Sequence, residues 1–237
     1  MRTIGLIGGT SWESTAVYYR LLNEGARARR GGLSSARIAM ISMDFAPLET
    51  MMREGRWDDL GAQLGEEARR LEAAGASCIA LCTNTMHKMA DSIVAATSLP
   101  FFDVREVTAG ALAARGVRTP LLLATRYTME DDFFVGRLRA RGFAPMTPDK
   151  DGRDLTQAVI FDELCMGVVS DRSRRALLGV IEKGLAAGAD SVILGCTELM
   201  LLIGQGDVAA PVFDTTALHV EACLDASFFH LSPREVA

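Results

Sequence analysis

Short apolar segments alternate along the chain with longer segments whose apolar positions have helical spacing. Seven segments have the composition of strands: TIGLIG (3–8), ARIAMIS (36–42), CIALC (78–82), PFFDV (100–104), PLLLAT (120–125), SVILG (191–195) and PVFD (211–214). These segments are apolar on both faces, which is typical of parallel strands covered by helices on each side. The segments between them, such as EEARRLEAAGA, have helical periodicity and a glycine near the end. The alternation predicts a doubly wound α/β fold with mostly parallel sheets.

The second half of the chain repeats the plan of the first. AAGASCIALCTNTMH (73–87) and AAGADSVILGCTELM (186–200) each contain the end of a helix, a short apolar strand and a polar loop. Aligning the shared AAGA places Thr83 opposite Cys196. One copy of the strand therefore ends in a hydroxyl and the other in a thiol.

Two further pairs of segments occur in the same order. TIGLIGGTSWEST (3–15) corresponds to TPLLLATRYTMED (119–131), and LPFFD (99–103) corresponds to APVFD (210–214). We therefore predict two pseudo-symmetric α/β lobes.

The polar loops GGTSWEST, CTNTMH, ATRYTM and GCTELM all follow predicted strands. In open α/β sheets, ligands bind beyond the carboxyl ends of the strands. We therefore expect the active site in a cleft between the lobes, with Thr83 and Cys196 on opposite sides of a bound molecule. That arrangement suits the transfer of a proton from one face of a carbon to the other.

Composition narrows the possible partners and location. The net charge is −5, with acidic and basic residues interspersed, which argues against nucleic-acid and membrane partners. The five cysteines form an odd set without metal-ligand spacing, and a chain of 237 residues needs no disulfides to fold. We expect a cytoplasmic protein with a small-molecule substrate and no metal.

Cys196 is the first candidate for catalysis. It follows a buried strand and precedes Thr197 and Glu198, of which Glu198 is a candidate supporting residue. Backbone N–H groups of a following helix would lower the pKa of the thiol and make it a competent general base. The alternative is a buried cysteine of the core.

Thr83 is the second candidate, although a hydroxyl is a weak acid. It could donate or relay a proton if a neighbour activated it, and His87, four residues later, is the candidate partner. The alternative is that Thr83 caps the helix that begins near Met86. Cys82 is expected to pack in the core.

Several hydroxyl and amide side chains in the same loops could bind the carboxylate and amine of a small zwitterion. These residues are Ser11, Asn84, Thr85, Thr125, Thr128 and Thr197. Each could instead be a cap or turn residue. GLIGGTSWEST lacks the G-x-G-x-x-G spacing of dinucleotide sites, so NAD is a weak alternative. A Schiff base with pyridoxal phosphate needs a lysine, and Lys88 is the only one near a site loop, so this cofactor is also a weak alternative.

The segments GLIGGTSWESTAVYY, LCTNTMHKMAD, TRYTMEDDF and LGCTEL resemble the aspartate/glutamate racemase family, which works without pyridoxal phosphate. The resemblance covers nearly the whole chain. It implies two α/β lobes with the active site between them, often in a homodimer. It also implies that the final helix returns to the first lobe, so that 1–98 and 215–237 form one lobe and 99–214 the other.

The family uses one cysteine from each lobe as paired acid and base on the substrate α-carbon. The second-lobe cysteine corresponds to Cys196, whereas the first-lobe position is Thr83, which resembles a subgroup with a Thr/Cys pair. The remaining correspondences concern substrate binding. Asn84, Thr85 and Thr197 match family positions that bind the α-carboxylate and amino group of the substrate. Thr10 and Met52 match substrate-binding positions at which the side chain differs among relatives.

The leading hypothesis is cofactor-independent racemisation or epimerisation of an α-amino acid, with aspartate or glutamate as first choice and a broader range next. A decarboxylase of malonate-type acids would need only the second-lobe thiol. A non-catalytic amino-acid-binding protein would keep the cleft and lack one base. Both alternatives stay open at this stage.

Overall fold

The structure is a computed structural model in which residues 1–229 are described, and the end of the predicted returning helix, residues 230–237, lies outside the described residues. The chain divides into two compact units. Unit 1 contains Met1–Val107 and the described part of His219–Ala237, and unit 2 contains Thr108–Leu218. None of the helices within 1–229 is long and apolar enough to cross a bilayer.

Unit 1 is built on a parallel four-stranded sheet. Its strands are β1 (Ile4–Gly8), β2 (Ile38–Ser42), β3 (Cys78–Leu81) and β4 (Phe101–Phe102), in the order β2-β1-β3-β4. The helices that precede or connect them are α1 (Trp12–Arg30), α2 (Phe45–Glu54), α3 (Trp57–Ala73) and α4 (Ala90–Ala96). Strands β1 and β3 are buried along their whole length, as their apolar composition predicts.

Unit 2 is built on a second parallel sheet. Its strands are β5 (Pro120–Leu123), β6 (Ser191–Leu194) and β7 (Val212–Asp214), in the order β5-β6-β7. Its helices are α6 (Arg126–Glu130), α7 (Asp132–Ala140), α8 (Lys150–Ala158) and α9 (Asp171–Ala186). The boundaries between the units fall within the two remaining helices, α5 (Val104–Ala114) and α10 (Thr215–Phe229).

The two sheets correspond strand by strand, with β5, β6 and β7 in the places of β1, β3 and β4. In unit 1, β1 lies between β2 and β3, and in unit 2, β5 lies between β6 and Met146, whose backbone bonds to Pro120 and Leu122. Met146 therefore occupies the position that β2 has in unit 1. The predicted α/β class, the seven strands and the repeated plan are confirmed.

The units of the structure divide differently from the predicted lobes at residues 99–107. Strand β4 pairs with β3, with Ile79 opposite Phe101 and Ala80 opposite Phe102, so this segment belongs to the first sheet and not to the second. Near the C-terminus, residues 215–218 group with unit 2 and the described residues from His219 onward group with unit 1.

The C-terminal part of α10 is attached to the start of unit 1. The Arg2 N–H donates to the Ser227 carbonyl at 3.0 Å, and the Ser227 hydroxyl donates to the Arg2 carbonyl at 2.8 Å. Arg29 of α1 forms ion pairs with Glu221 and Asp225 of α10. These contacts join the last described helix to α1 and to the residues that precede β1.

The turn after β1 passes close to the turn after β2. Gly9 has a φ of 89°, and a Cβ atom at this position would overlap the backbone of Met43. The Met43 N–H donates to the Gly8 carbonyl at 3.0 Å, and the Gly9 N–H donates to the Thr15 hydroxyl at 2.8 Å. The glycine therefore allows the loops that follow β1 and β2 to approach each other at one edge of the sheet.

Replacing Gly9 by alanine should destabilise unit 1 strongly. Gly55 is a matched control, because its φ is 73° and, among residues 1–229, only its chain neighbours come within 4 Å of the position that a Cβ would take. We expect Gly9→Ala to lower the free energy of unfolding by about 3 kcal/mol or more, and Gly55→Ala by about 1 kcal/mol. Urea unfolding measures both values, and equal losses would contradict a steric role for Gly9.

Candidate active site

In unit 1 the candidate residues gather at the carboxyl edge of the sheet. The Cys82 N–H donates to the Ile7 carbonyl at 2.8 Å, which continues the β1–β3 pairing to the end of both strands. Because the strands are parallel, the segment that follows β1 and the segment that follows β3 leave the sheet at the same edge. Thr10 and Ser11 lie in the first segment and Thr83 in the second.

Thr83 is held through its backbone. Its N–H donates to the Leu81 carbonyl at 2.8 Å, and its carbonyl lies 2.6 Å from Nδ1 of His87. The side chain is mostly buried, and the hydroxyl makes no hydrogen bond within the described part of the chain. The short 3₁₀ helix Thr85–Met89 has Asn84, and not Thr83, at its N-cap position. The capping alternative for Thr83 is therefore wrong.

His87 does not contact the Thr83 hydroxyl, so the sequence-based hypothesis that it activates this group needs correction. Its Nδ1 faces the Thr83 carbonyl, and its Nε2 faces the Val104 N–H at 3.2 Å. Complete burial lowers the pKa of His87 to about 4. At neutral pH the ring is therefore uncharged, and both of its nitrogens are used by backbone groups.

Two neighbours of Thr83 have packing roles. Cys82 is completely buried, and burial raises the pKa of its thiol far above the ordinary range. Lys88 places its ammonium 4.3 Å from the ring centroid of Trp57, a cation–π contact. This environment gives no support to a Schiff base at Lys88.

In unit 2 the chain turns sharply after β6. The Gly195 N–H donates to the Leu123 carbonyl at 2.7 Å, and a Cβ at Gly195 would lie 2.6 Å from a methyl group of Leu122. The glycine brings the next residue, Cys196, to the carboxyl edge of the second sheet. Thr125, which follows β5, lies at the same edge because β5 and β6 are parallel.

Cys196, Thr197 and Glu198 form a compact buried cluster. The Cys196 thiol donates to Oε2 of Glu198 at 3.0 Å, and the Thr197 hydroxyl donates to the same oxygen at 2.7 Å. The residues are 7%, 4% and 3% exposed, respectively, so water competes little for these bonds. One carboxylate oxygen thus accepts hydrogen bonds from the side chains of the two preceding residues.

The charge state of Cys196 differs from the sequence-based expectation. Burial raises the pKa of the thiol well above its ordinary value, and the negative charge of Glu198 raises it further. The expected lowering by helix N–H groups is outweighed, because a carboxylate lies nearer to the sulfur than any strong positive charge on this segment. In this state Cys196 is a protonated thiol that donates a hydrogen bond to the Glu198 carboxylate.

The predicted binding residues have different environments. Ser11 caps α1 by accepting from the Ser14 N–H, and Thr125 caps α6 by accepting from the Thr128 N–H. Thr10 is 8% exposed, and its hydroxyl has no hydrogen-bond partner among residues 1–229. Met52 is buried in α2.

Asn84 and Thr85 are both buried beside Thr83, on the loop after β3. The structure thus collects the predicted residues in two groups, one in each unit. Thr10, Ser11, Thr83, Asn84 and Thr85 belong to the first group, and Thr125, Cys196, Thr197 and Glu198 belong to the second.

Four residues of the polar network around His87 and His219 were missed from the sequence. Asp103 and Arg105 form an ion pair, and although burial raises the pKa of Asp103, hydrogen bonds and charge from Arg105 lower it to about 2. His219 of α10 bonds to Tyr18 of α1 and to the Phe102 carbonyl. The sequence signals were a histidine within the C-terminal helix and an acidic residue that directly follows a strand.

Within residues 1–229, no group of three or more His, Cys, Asp or Glu residues has a metal-binding arrangement.

Comparison with known proteins identifies the family. Residues 7–223 match the family described as Asp/Glu/Hydantoin racemase. A structure from Yersinia pestis, provisionally described as an Asp/Glu racemase, is 44% identical with a TM-score of 0.89, covering 96% of this chain and 99% of that chain. An aspartate racemase homologue from Pyrococcus horikoshii OT3 is 32% identical with a TM-score of 0.84 and the same coverage.

A more distant structure, the aspartate racemase of Picrophilus torridus, shares the fold at 23% identity and a TM-score of 0.77, covering 96% of this chain and 94% of that chain. The chain belongs to the Asp/Glu/Hydantoin racemase family. It is an isomerase of the racemase class.

Acid should destabilise the protein through His87. The folded-state pKa of about 4 lies below the ordinary 6.5, so the unfolded chain binds a proton that the folded chain excludes between these values. The contribution of the neutral ring to the free energy of unfolding is present above pH 6.5, is lost as the pH falls to 4, and amounts to about 3 kcal/mol. In urea unfolding the wild type should lose about 3 kcal/mol more than His87→Gln over this pH range, because His219 titrates in both proteins. The same acid dependence in both would contradict a buried neutral ring at position 87.

Removing the charge of Glu198 should make Cys196 more reactive. In Glu198→Gln the carboxylate no longer opposes ionisation of the thiol, so alkylation by iodoacetamide at mildly alkaline pH should be several-fold faster. Peptide mass spectrometry follows Cys196, with buried Cys78 as the internal reference for the integrity of the fold. An unchanged rate at Cys196 would show that Glu198 does not control the thiol.

Proposed function

We propose that the protein racemises an α-amino acid by moving a proton at the α-carbon between Thr83 and Cys196, without pyridoxal phosphate. The observation that carries the proposal is that the hydroxyl and the thiol end corresponding strands, β3 and β6, in two sheets of the same plan. Membership of a racemase family supports the reaction class. The paired-base chemistry follows from the resemblance of the motifs around these residues.

Glu198 is the proton acceptor for Cys196 in this proposal. The thiol proton passes to Oε2 of Glu198, which already accepts it in a hydrogen bond of 3.0 Å. The resulting thiolate removes the α-proton and becomes a thiol again, and the planar carbanion takes a proton on its other face from the Thr83 hydroxyl. The Thr83 alkoxide regains a proton from water, and Glu198 releases the proton that it accepted to water, so the cycle consumes no net proton. In the opposite direction, the resting thiol of Cys196 is the acid.

The two directions should differ in rate. Cys196 has a carboxylate within hydrogen-bond distance, whereas the Thr83 hydroxyl contacts no basic side chain among the described residues. A hydroxyl is a much weaker acid than a thiol, so abstraction of a proton from the Thr83 side should be the slower step. We therefore expect exchange of the α-proton to be faster for one enantiomer.

The proposed substrate is aspartate or glutamate, with a broader set of amino acids as the second choice. Two relatives at 44% and 32% identity are described as an Asp/Glu racemase and an aspartate racemase homologue. The buried hydroxyl of Thr10, unpartnered within residues 1–229, is available to a polar group of the substrate. Asn84, Thr85 and Thr197 are proposed to bind the α-carboxylate and amino group.

A second candidate, decarboxylation of a malonate-type acid, is favoured by one observation. Burial and Glu198 keep Cys196 protonated, and a protonated thiol is suited to donate a proton to the planar intermediate that loss of carbon dioxide produces. This reaction would need no role for Thr83. Release of carbon dioxide distinguishes it from racemisation.

We further propose a homodimer in the cytoplasm. The dimer is implied by the resemblance to the family, and the location by the five cysteines, which are all free thiols.

The two-base proposal is tested by exchange of the α-proton in deuterated water. L- and D-aspartate, L- and D-glutamate and a panel of other amino acids are followed by proton NMR. Thr83→Val removes the hydroxyl at constant shape, and Cys196→Ala removes the thiol. Each variant should lose exchange by about 100-fold or more for one enantiomer, and the two variants should affect opposite enantiomers.

Thr83→Ser, which keeps the hydroxyl, is the matched control and should retain most of the exchange. Full activity of both Thr83→Val and Cys196→Ala toward both enantiomers would reject the two-base assignment. Carbon dioxide release from a malonate-type acid, without exchange on any amino acid, would favour the second candidate.

A further inference from the structure

The corner between β4 and α5 is held by two buried histidines. His219 Nε2 lies 2.7 Å from the carbonyl oxygen of Phe102, the last residue of β4. His87 Nε2 lies 3.2 Å from the backbone nitrogen of Val104, the first residue of α5. Both histidines are completely buried. The residues on either side of position 103 are thus held by one side chain from α10 and one from the 3₁₀ helix after β3.

The partners determine the protonation of each ring. The carbonyl of Phe102 can only accept, so Nε2 of His219 carries a hydrogen. Burial lowers the pKa of His219 to about 3, so the ring is neutral and its Nδ1 accepts from the Tyr18 hydroxyl at 2.9 Å. The Val104 N–H can only donate, so Nε2 of His87 must be bare and Nδ1 must donate to the Thr83 carbonyl. The two rings are therefore neutral and in opposite tautomers.

The two rings and the tyrosine pack directly on one another. The centroids of His87 and His219 are 5.9 Å apart, and those of His219 and Tyr18 are 5.7 Å apart in an edge-to-face arrangement. Tyr18 is 1% exposed. A buried polar group that loses its partner is costly, so each member of this network restrains the next.

The network leads to Thr83 without touching the hydroxyl. A displacement of residues 102–104 moves the Val104 N–H that orients His87, and His87 in turn holds the Thr83 carbonyl. Between them, Asp103 accepts bonds from the backbone N–H and the Nε of Arg105, both at 2.9 Å, which stiffens the start of α5. Thr83 has few positions available because both of its backbone groups are bonded.

We propose that His219, oriented by Tyr18, is a positioning residue that fixes Thr83 through the β4–α5 corner and His87. The inference rests on the proposed function, in which Thr83 supplies one of the two proton-transfer groups. His219 itself contacts no reacting atom in this proposal. It sets the place of the hydroxyl, and with it the rate of proton transfer on one face of the substrate.

Two substitutions at His219 separate its two hydrogen bonds. In His219→Gln the amide nitrogen can occupy the position of Nε2 and donate to the Phe102 carbonyl. In His219→Asn the amide oxygen can accept from Tyr18, but no donor reaches Phe102. The readout is exchange of the α-proton in deuterated water for both enantiomers, with the Thr83-dependent enantiomer identified by Thr83→Val.

The expected result is asymmetric. His219→Asn should lose between about 10-fold and 100-fold of the Thr83-dependent exchange, as expected for a small misplacement of a reacting group. Its Cys196-dependent exchange should remain within about twofold of the wild type, because no bond in unit 2 is altered. His219→Gln should restore the Thr83-dependent exchange. Tyr18→Phe, which preserves the ring and removes the hydroxyl, should show a smaller loss on the same face.

Three outcomes would overturn the inference. The first is an equal loss of exchange for both enantiomers in His219→Asn, and the second is full activity of His219→Asn. The third is that His219→Gln fails to restore exchange while Tyr18→Phe exchanges as fast as the wild type. If the histidine variants do not fold, Tyr18→Phe alone tests the inference. It should slow exchange of the Thr83-dependent enantiomer and leave exchange of the other enantiomer unchanged. Wild-type protein without any exchange would instead reject the proposed function, and with it any role of the corner in catalysis.

A spectroscopic measurement tests the network independently of the substrate. Nitrogen-15 NMR of the imidazole rings at neutral pH should show opposite neutral tautomers for His87 and His219, with signals assigned through the variants, since the chain has only three histidines. A charged ring, or the same tautomer at both positions, would contradict the hydrogen-bond directions from which the inference is drawn.

Discussion

Parallel pairing of the central strands determines where Thr83 and Cys196, the two proposed proton-transfer residues, lie. In unit 1 the bond from the Cys82 N–H to the Ile7 carbonyl continues the pairing to the last residue before Thr83. In unit 2 the bond from the Gly195 N–H to the Leu123 carbonyl does the same just before Cys196. Each of these two residues is therefore the first one beyond a paired strand. Its position is set by the backbone hydrogen bonds of the central strands.

Burial determines the charge of the groups around this edge. It lowers the pKa of His87 and His219, so both rings stay neutral. Burial and the negative charge of Glu198 both raise the pKa of the Cys196 thiol. A neutral imidazole can hold backbone groups without placing a charge beside the substrate. A protonated thiol next to a carboxylate can change between acid and base by a short proton shift. The proposed chemistry therefore needs no permanently ionised sulfur.

Much of the fold could be predicted from the sequence, because short apolar segments separated by amphipathic helices leave few α/β arrangements. The repeat of AAGA and the following strand also placed Thr83 opposite Cys196. The assignment of β4 to the first sheet could not be predicted, since its pairing with β3 is decided by tertiary contacts and not by composition. The bridge at Met146 was missed for a related reason, as a single paired residue leaves no pattern.

For the candidate site, the sequence supplied the residue types, and the structure corrected several of their expected interactions. Glu198 and His87 were recognised as neighbours in sequence, but the raised pKa of Cys196 and the bond from His87 to a carbonyl depend on side-chain directions. His219 was missed because its partner Phe102 is 117 residues away along the chain. The central claim is tested most directly by a crystal structure with a bound amino acid. We expect the α-carbon in van der Waals contact with Thr83 Oγ1 on one face and with Cys196 Sγ on the other, and the claim would be contradicted if either atom lay out of reach or both lay on the same face.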